Sequence, residues 1–92
     1  MVQHLLDQVF HALADPSRRQ MLERLTRGPA STSQLAEPLQ MSLSAVAQHL
    51  KVLEASGLTR SEKRGRERLC HVEHKALEVA ASWLAKRRVK KR

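Results

Sequence analysis

The segment 31–58, STSQLAEPLQMSLSAVAQHLKVLEASGL, constrains the fold more than any other part of the sequence, because it predicts two short helices joined by a tight turn. Ser31 and Gln34 have the spacing of a capping box, in which a hydroxyl and an amide side chain bond backbone N–H groups at a helix start. Ser42 is predicted to cap the second helix, and Gly57 is predicted to follow its last turn.

The second predicted helix has an apolar face and a polar face. Apolar residues recur at spacings of three and four, which predicts that they face the core: Leu43, Val46, Leu50 and Leu53. The polar face carries Ser44, Ala45, Gln48, His49 and Lys51. It has small side chains near its start and no acid before Glu54, as a helix requires if it is to approach base edges between two rows of phosphates. We therefore predict that this helix lies in the major groove of duplex DNA.

The starts of both helices are also predicted to contact the DNA, through Ser31, Thr32 and Ser42. The alternative is that the polar face is an ordinary solvated surface, since helix-turn-helix units also occur in proteins that bind no nucleic acid. The sequence after Gly57 favours the DNA-binding interpretation.

A basic hairpin is predicted to follow the second helix. Residues 58–62 and 68–72 alternate moderately between apolar and polar side chains, and Gly65 suits a turn position with positive φ. We predict that the basic residues of the connecting loop contact the DNA backbone beside the reading helix. They are Lys63, Arg64 and Arg66. The alternative is a solvated turn.

The net charge of +8 over 92 residues is concentrated in two places. Residues 60–68 hold five basic and two acidic side chains, and residues 80–92 hold six basic side chains and no acid. A basic cluster beside a groove-reading helix is typical of phosphate contact, whereas basic chain ends are common in solvated tails. Residues 89–92 are predicted to be a frayed tail that adds nonspecific affinity.

Composition excludes several other classes of protein. The chain has one cysteine, which excludes an intrachain disulfide framework, and two aromatic residues, which argues against single-strand binding by base stacking. It has no apolar run of about 18 residues and no signal-peptide pattern, so we expect a cytoplasmic protein that does not bind membranes. No phosphate loop, nucleophile motif or carboxylate pair indicates an enzyme.

The first and last helices are predicted to pair two copies of the chain. Residues 1–14 carry a broad apolar stripe, and residues 74–88 carry an alanine-rich stripe beside a tryptophan. The predicted interface residues are Leu6, Phe10, Ala80, Trp83 and Leu84. A two-fold dimer presents two reading helices to the duplex, so the expected target is an inverted repeat with half-sites about 10 bp apart.

Another helix is predicted to start at Asp15 and Pro16, with Asp15 as the N-cap and Pro16 at the first position, and to run to about Arg27. Arg18 and Arg19 lie on its outer face. Two interpretations stay open for these arginines, contact with the DNA backbone or exposure to solvent.

Three stretches of the sequence resemble the ArsR family of winged helix-turn-helix repressors. They are FHALADPSRRQMLERL at 10–25, SQLAEPLQMSLSAVAQHLKVLEASGL at 33–58 and RSEKRGRERLCHVE at 60–73. The resemblance implies one mainly α domain over 1–92 with a small β-hairpin, in the order α-α-α-α-β-β-α. It also implies a homodimer joined through its first and last helices, a helix over 42–56 in the major groove of double-stranded DNA, and repression relieved by an inducer.

The sensor sites of that family are absent or incomplete in this sequence. Residues 34–40 hold no cysteine or histidine, where arsenic-type members have a Cys-x-Cys pair, and the last helix holds no histidine after His74 for a zinc-type site. Cys70 and His71 are adjacent on a predicted strand and therefore point to opposite faces. We predict no metal site and no cofactor, and the identity of an inducer, small molecule or metal, stays open.

Two other functions remain open from the sequence. One is a nonspecific architectural DNA-binding protein, which predicts that a defined palindrome does not outcompete bulk DNA at physiological salt. The other is a winged domain used for protein contacts, which predicts no measurable DNA affinity.

Overall fold

Helix caps and turns divide residues 2–88 into eight elements. The computed structural model describes these residues, with side chains from 4 to 88, so the predicted tail at 89–92 lies outside the described residues. The elements are α1 (Val2–Leu13), α2 (Pro16–Leu25), β1 (Ala30–Ser31), α3 (Thr32–Leu39), α4 (Leu43–Ala55), β2 (Thr59–Arg64), β3 (Glu67–Val72) and α5 (His74–Ala85). None of the helices in this range is long and apolar enough to cross a membrane.

The predicted helix starts are confirmed by the hydrogen bonds that cap them. Ser31 Oγ accepts from the backbone N–H of Gln34 at 3.2 Å, and Gln34 Oε1 accepts from the backbone N–H of Ser31 at 2.9 Å. Ser42 Oγ accepts from the backbone N–H of Ala45 at 3.1 Å, and the Asp15 carboxylate accepts from two N–H groups at the start of α2. Each cap satisfies backbone donors that have no partner within the helix.

The hairpin is longer than predicted and belongs to a three-stranded sheet. β3 lies between β1 and β2 and pairs antiparallel with both; we call β2, β3 and their turn the wing. The predicted five-residue loop is wrong, because Lys63, Arg64 and Glu67 belong to the strands and only Gly65 and Arg66 form the turn. Gly65 has the predicted positive φ, 61°, and a two-residue turn that begins this way matches the twist of paired strands.

The described helices and the base of the sheet share one hydrophobic core. The predicted inner stripe of α4 is confirmed for Val46, Leu50 and Leu53, which are at most 5% exposed. The prediction for Leu43 is wrong: its side chain is 55% exposed. Leu43 is the first residue of α4 and stands beyond the end of the core, in an opening between α3 and the wing.

Leu53→Ala and Leu43→Ala compare one substitution at a buried and an exposed position of α4. We expect Leu53→Ala to lower the free energy of unfolding by about 2–5 kcal/mol, because it leaves a cavity in the core. Leu43→Ala should change it by less than about 0.5 kcal/mol. Urea unfolding at equal protein concentration measures both values, and equal losses would contradict the rotation assigned to α4.

Candidate nucleic-acid interface

The outer face of α4 carries the residues predicted to read DNA. Its exposed members are Ser44, Gln48 and Lys51, and its partly exposed members are Ala45 and His49. The first acidic residue of the helix, Glu54, accepts a hydrogen bond from Ser61 Oγ in the wing at 2.8 Å. The outer face is therefore polar and free of acidic side chains over its first three turns.

The turn between α3 and α4 places the starts of the two helices near each other. Pro38 stands one residue before the end of α3, and Gln40 ends the helix in the left-handed conformation, with φ 54° and ψ 42°. The backbone N–H of Met41 then donates to the carbonyl of Ala36 at 3.3 Å, which closes the turn. The left-handed residue reverses the chain direction, so that α4 returns beside α3.

One open cleft is lined by the starts of α3 and α4 and by the wing. Its volume is about 440 Å³, and it is lined by Ser31, Thr32, Ser33, Leu43, Ser44, Ala47, Arg66, Glu67 and Arg68. A helix start carries partial positive charge, so two helix starts together with Arg66 and Arg68 make the cleft favourable for an anion. Glu67 is the acidic residue of the lining and offsets part of this charge.

Ser31, one of the predicted DNA contacts, also caps α3. Its side chain is 8% exposed, and its hydroxyl already accepts the capping hydrogen bond from Gln34. The hydroxyl holds the start of α3 in position as an acceptor, and its O–H group can still donate. Ser31 also lines the cleft, so its contact with DNA stays a prediction, as does that of its partly exposed neighbour Thr32.

Ion pairs divide the basic residues of the wing into two groups. Arg64 Nε donates to Glu62 Oε2 at 3.0 Å, while Arg60 pairs with Glu73 and lies 3.6 Å from Glu62. Within residues 4–88 the recorded ion pairs do not involve the remaining basic residues of the wing, which are Lys63, Arg66 and Arg68. The available positive charge therefore lies at the turn and at the strand ends that adjoin it.

Lys63 and Arg68 stand directly opposite each other on β2 and β3. Like charges in a cross-strand pair repel, and an anion bound beside them relieves the repulsion. This pair is next to the arginine of the turn, Arg66, so the three side chains favour a polyanion along this edge of the wing.

The Glu62 carboxyl group stays charged because of its basic neighbours. Desolvation raises its pKa, but the hydrogen bond and charge of Arg64 and the charges of His71 and Arg60 outweigh that effect, so the pKa lies below its ordinary value. The Glu62–Arg64 pair therefore persists at moderately acidic pH. The pair engages Nε of Arg64 and offsets part of the positive charge of this side chain.

Arg18 and Arg19 bind the end of α1, which neither sequence interpretation describes. Arg19 Nη1 donates to the carbonyl of Leu13 at 2.7 Å. Arg18 Nε and Nη2 donate to the carbonyls of Ala12 and His11, at 2.7 and 3.2 Å. The last carbonyls of a helix lack partners and carry partial negative charge, so these two guanidinium groups satisfy and neutralise the end of α1.

An aromatic cluster joins α1 to α5 and is partly exposed. The ring centroids of Phe10 and Trp83 are 5.9 Å apart in an edge-to-face arrangement, and the Arg87 guanidinium lies 4.3 Å from the Trp83 ring centroid. Phe10 is 37% exposed, and Leu84, one residue after Trp83, is 55% exposed. Large apolar side chains exposed together in this way favour contact with another surface.

Leu6 and Ala80 lie elsewhere than at the predicted dimer interface. Both are 4% exposed within the single chain and belong to its core. The apolar stripes of α1 and α5 are wide enough to pack against this core on one side, so periodicity alone does not separate core residues from interface residues.

Cys70 is fully buried in β3, and this burial raises the pKa of its thiol. It stands opposite Ala30 of β1 in the sheet. Within the part of the chain that the structure describes, no group of three or more histidine, cysteine, aspartate or glutamate side chains is placed to hold a metal ion.

Comparison with known proteins identifies the family of this fold. A family profile described as a helix-turn-helix domain matches residues 13–62, just over half of the chain. A solved ArsR family transcriptional regulator, RHA00566, is 44% identical and superposes with a TM-score of 0.85, over 91% of this chain and 87% of that one. This chain belongs to the ArsR family of winged helix-turn-helix proteins.

Two further proteins show how far the likeness to this ArsR-family chain extends. The HTH-type transcriptional regulator Rv2034 of Mycobacterium tuberculosis is 43% identical over 63 residues, which are 68% of this chain and 59% of that protein. The chain thus spans about three fifths of the length of that relative. A homodimeric winged helix-turn-helix DNA-binding domain of Mycobacterium bovis, Mb0332, is 23% identical with a TM-score of 0.76, over 91% of this chain and 80% of that one, and it agrees in fold.

Proposed function

We propose that this ArsR-family protein represses transcription by binding an inverted-repeat operator in double-stranded DNA as a homodimer. The observation that carries the proposal is the cleft where the starts of α3 and α4 meet Arg66 and Arg68 beside the acid-free face of α4. The positive charge of the cleft suits a phosphate. The adjoining polar face is narrow and uncharged at its start, which suits the base edges of the major groove.

The helix and the wing supply different parts of the binding free energy. Gln48 is exposed near the middle of α4, and its amide has both a donor and an acceptor, as bidentate pairing with adenine requires. Arg66 and the cross-strand pair Lys63 and Arg68 contact sugar and phosphate, which adds affinity for every sequence. Specificity therefore comes from the helix, and sequence-independent affinity comes mainly from the wing.

The homodimer is proposed from the exposed side of α1 and α5. Phe10 and Trp83 form an apolar patch there, on helices that pack against each other, and Leu84 is exposed one residue further along α5. A two-fold pair through this patch presents two copies of α4 to one side of the duplex, about 10 bp apart, which is the reason to expect an inverted repeat. The Mycobacterium bovis domain of the same fold is described as homodimeric, which supports a homodimer here.

Gln48→Ala tests whether α4 reads bases. We expect it to weaken binding to a duplex selected from a random library by about 1–3 kcal/mol, and to leave binding to a shuffled duplex nearly unchanged. Gln20→Ala, which removes an exposed glutamine from α2, is the matched control and should leave both affinities unchanged. Fluorescence anisotropy titrations measure all four affinities.

The same titrations separate the proposal from its alternatives. Equal affinity of the unaltered protein for the selected and shuffled duplexes would indicate an architectural protein, and no affinity for either would indicate a module for protein contacts. Equal losses of Gln48→Ala on both duplexes would show that Gln48 contacts only the backbone.

Arg66→Ala and Arg64→Ala compare a free arginine of the wing with a paired one. Arg66→Ala should reduce the magnitude of the negative slope of log affinity against log salt by about one for every duplex, because one phosphate contact is lost. Arg64→Ala should change the slope less, because Glu62 already pairs with Arg64. Glu62→Gln should increase the magnitude of the slope, because it releases Arg64 from this pair. An unchanged slope for Arg66→Ala would exclude Arg66 from the phosphate contacts.

Trp83→Asp tests the proposed dimer surface. The substitution removes the ring that contacts both Phe10 and Arg87 and places a charge in the exposed apolar patch, so we expect a monomer under conditions where the unaltered protein is a dimer. Sedimentation velocity measures the mass, and circular dichroism confirms that helix content is kept. A folded variant that stays dimeric would place the interface elsewhere.

A further inference from the structure

One guanidinium group connects the end of α1 to the middle of α4. Arg18 Nε and Nη2 donate hydrogen bonds to the carbonyls of Ala12 and His11. Its Nη1 lies 3.2 Å from Nδ1 of His49. His49 is 31 residues away in sequence and lies on the edge of the polar face of α4, beside Gln48. The contact therefore joins the end of α1 and the start of α2 to α4, the helix that we propose reads DNA.

The chemistry of the pair determines which nitrogen of His49 carries the proton. A guanidinium group in a protein is always protonated and has donors only, so Nδ1 of His49 must accept. An imidazole that accepts at Nδ1 is neutral and carries its proton on Nε2.

The two hydrogen bonds that Arg18 donates to backbone carbonyls fix the position of its guanidinium group next to His49. Both carbonyls belong to the last turn of α1, and the backbone N–H of Arg18 donates to the cap residue Asp15 at 3.1 Å. A donor fixed by its other contacts orients the ring that it binds, as outer contacts do for functional histidines in general.

We propose that Arg18 is a positioning residue that makes His49 a neutral hydrogen-bond donor, through Nε2–H, to an acceptor on a base edge in the major groove. The acceptors with suitable chemistry are N7 of a purine, O6 of guanine and O4 of thymine. Cytosine presents an N4 donor at this edge and is disfavoured opposite a donor. This inference rests on the proposed function and adds a second base-reading residue, one position after Gln48.

The first test is the proton position in the free protein. Long-range nitrogen–proton correlation spectra of the histidine rings at neutral pH distinguish the two neutral forms and the cation. We expect His49 to be protonated on Nε2 alone, and Arg18→Ala to give a mixture of both neutral forms. Arg19→Ala is the matched control, because it removes an adjacent arginine that binds only the Leu13 carbonyl, and it should leave the His49 signals unchanged.

The second test is base discrimination. The unaltered protein selects duplexes from a random library, and each base pair of the selected site is then replaced in turn. At one position, replacing the preferred base by cytosine should weaken binding by about 3- to 10-fold, the effect of one lost hydrogen bond. His49→Ala and Arg18→Ala should remove this discrimination while the other positions keep theirs. His49→Gln keeps an acceptor for Arg18 and a donor for the base, so it should retain the discrimination.

The outcomes of the two tests separate the inference from the proposed function. A His49 ring that is protonated on Nδ1, alone or together with Nε2, overturns the inference and leaves the proposed function standing. If both His49→Ala and Arg18→Ala keep the discrimination against cytosine at every position of the selected site, the inference is also overturned and the proposed function stands. If the unaltered protein selects no sequence, the proposed function fails, and the inference fails with it.

Discussion

The burial of Val46, Leu50 and Leu53 determines what the surface of this protein presents. These three side chains are at most 5% exposed, so the rotation of α4 about its axis is fixed. At about 100° per residue, Ser44 and Gln48 then lie on the outer side of the helix. Any other rotation would expose the three apolar side chains and bury polar groups without partners. Both changes would lower the free energy of unfolding.

The contacts of each arginine, and not the net charge, decide where positive charge is available. Arg64 is held by Glu62, and Arg19 is held by a carbonyl at the end of α1, so both are engaged within the chain. Arg66 lies in the turn of the wing and lines the cleft at the starts of α3 and α4. The fold thus places part of the positive charge that has no ion pair within residues 4–88 beside the polar face of α4.

Local signals in the sequence predicted the elements well, because caps and turns depend on close neighbours. The Ser31–Gln34 capping box and the turn at Gly65 are of this kind. Pairings between residues that are distant in sequence could not be predicted from local patterns. β1 has two residues, too few to show the alternation of apolar and polar side chains that predicts a strand. It exists because Ala30 pairs with Cys70 in β3.

The candidate site depends on contacts between elements that the sequence does not specify. Periodicity shows that a helix face is apolar, but not what covers it. Leu6 and Ala80 lie on such faces, which made them candidates for an interface, and the core of their own chain covers them. The contact between Arg18 and His49 joins two helices and leaves no pattern in the sequence.

The central claim is that the start of α4 and the tip of the wing bind one duplex together. Two-dimensional amide spectra of nitrogen-15-labelled protein, recorded during titration with the selected duplex, test it most directly. The account predicts that the largest shifts occur at Thr32, Ser44, Gln48 and Arg66, and that residues 20–27, which line a separate groove with α3, shift little. Largest shifts in 20–27, or no shift at Ser44 and Arg66, would contradict it.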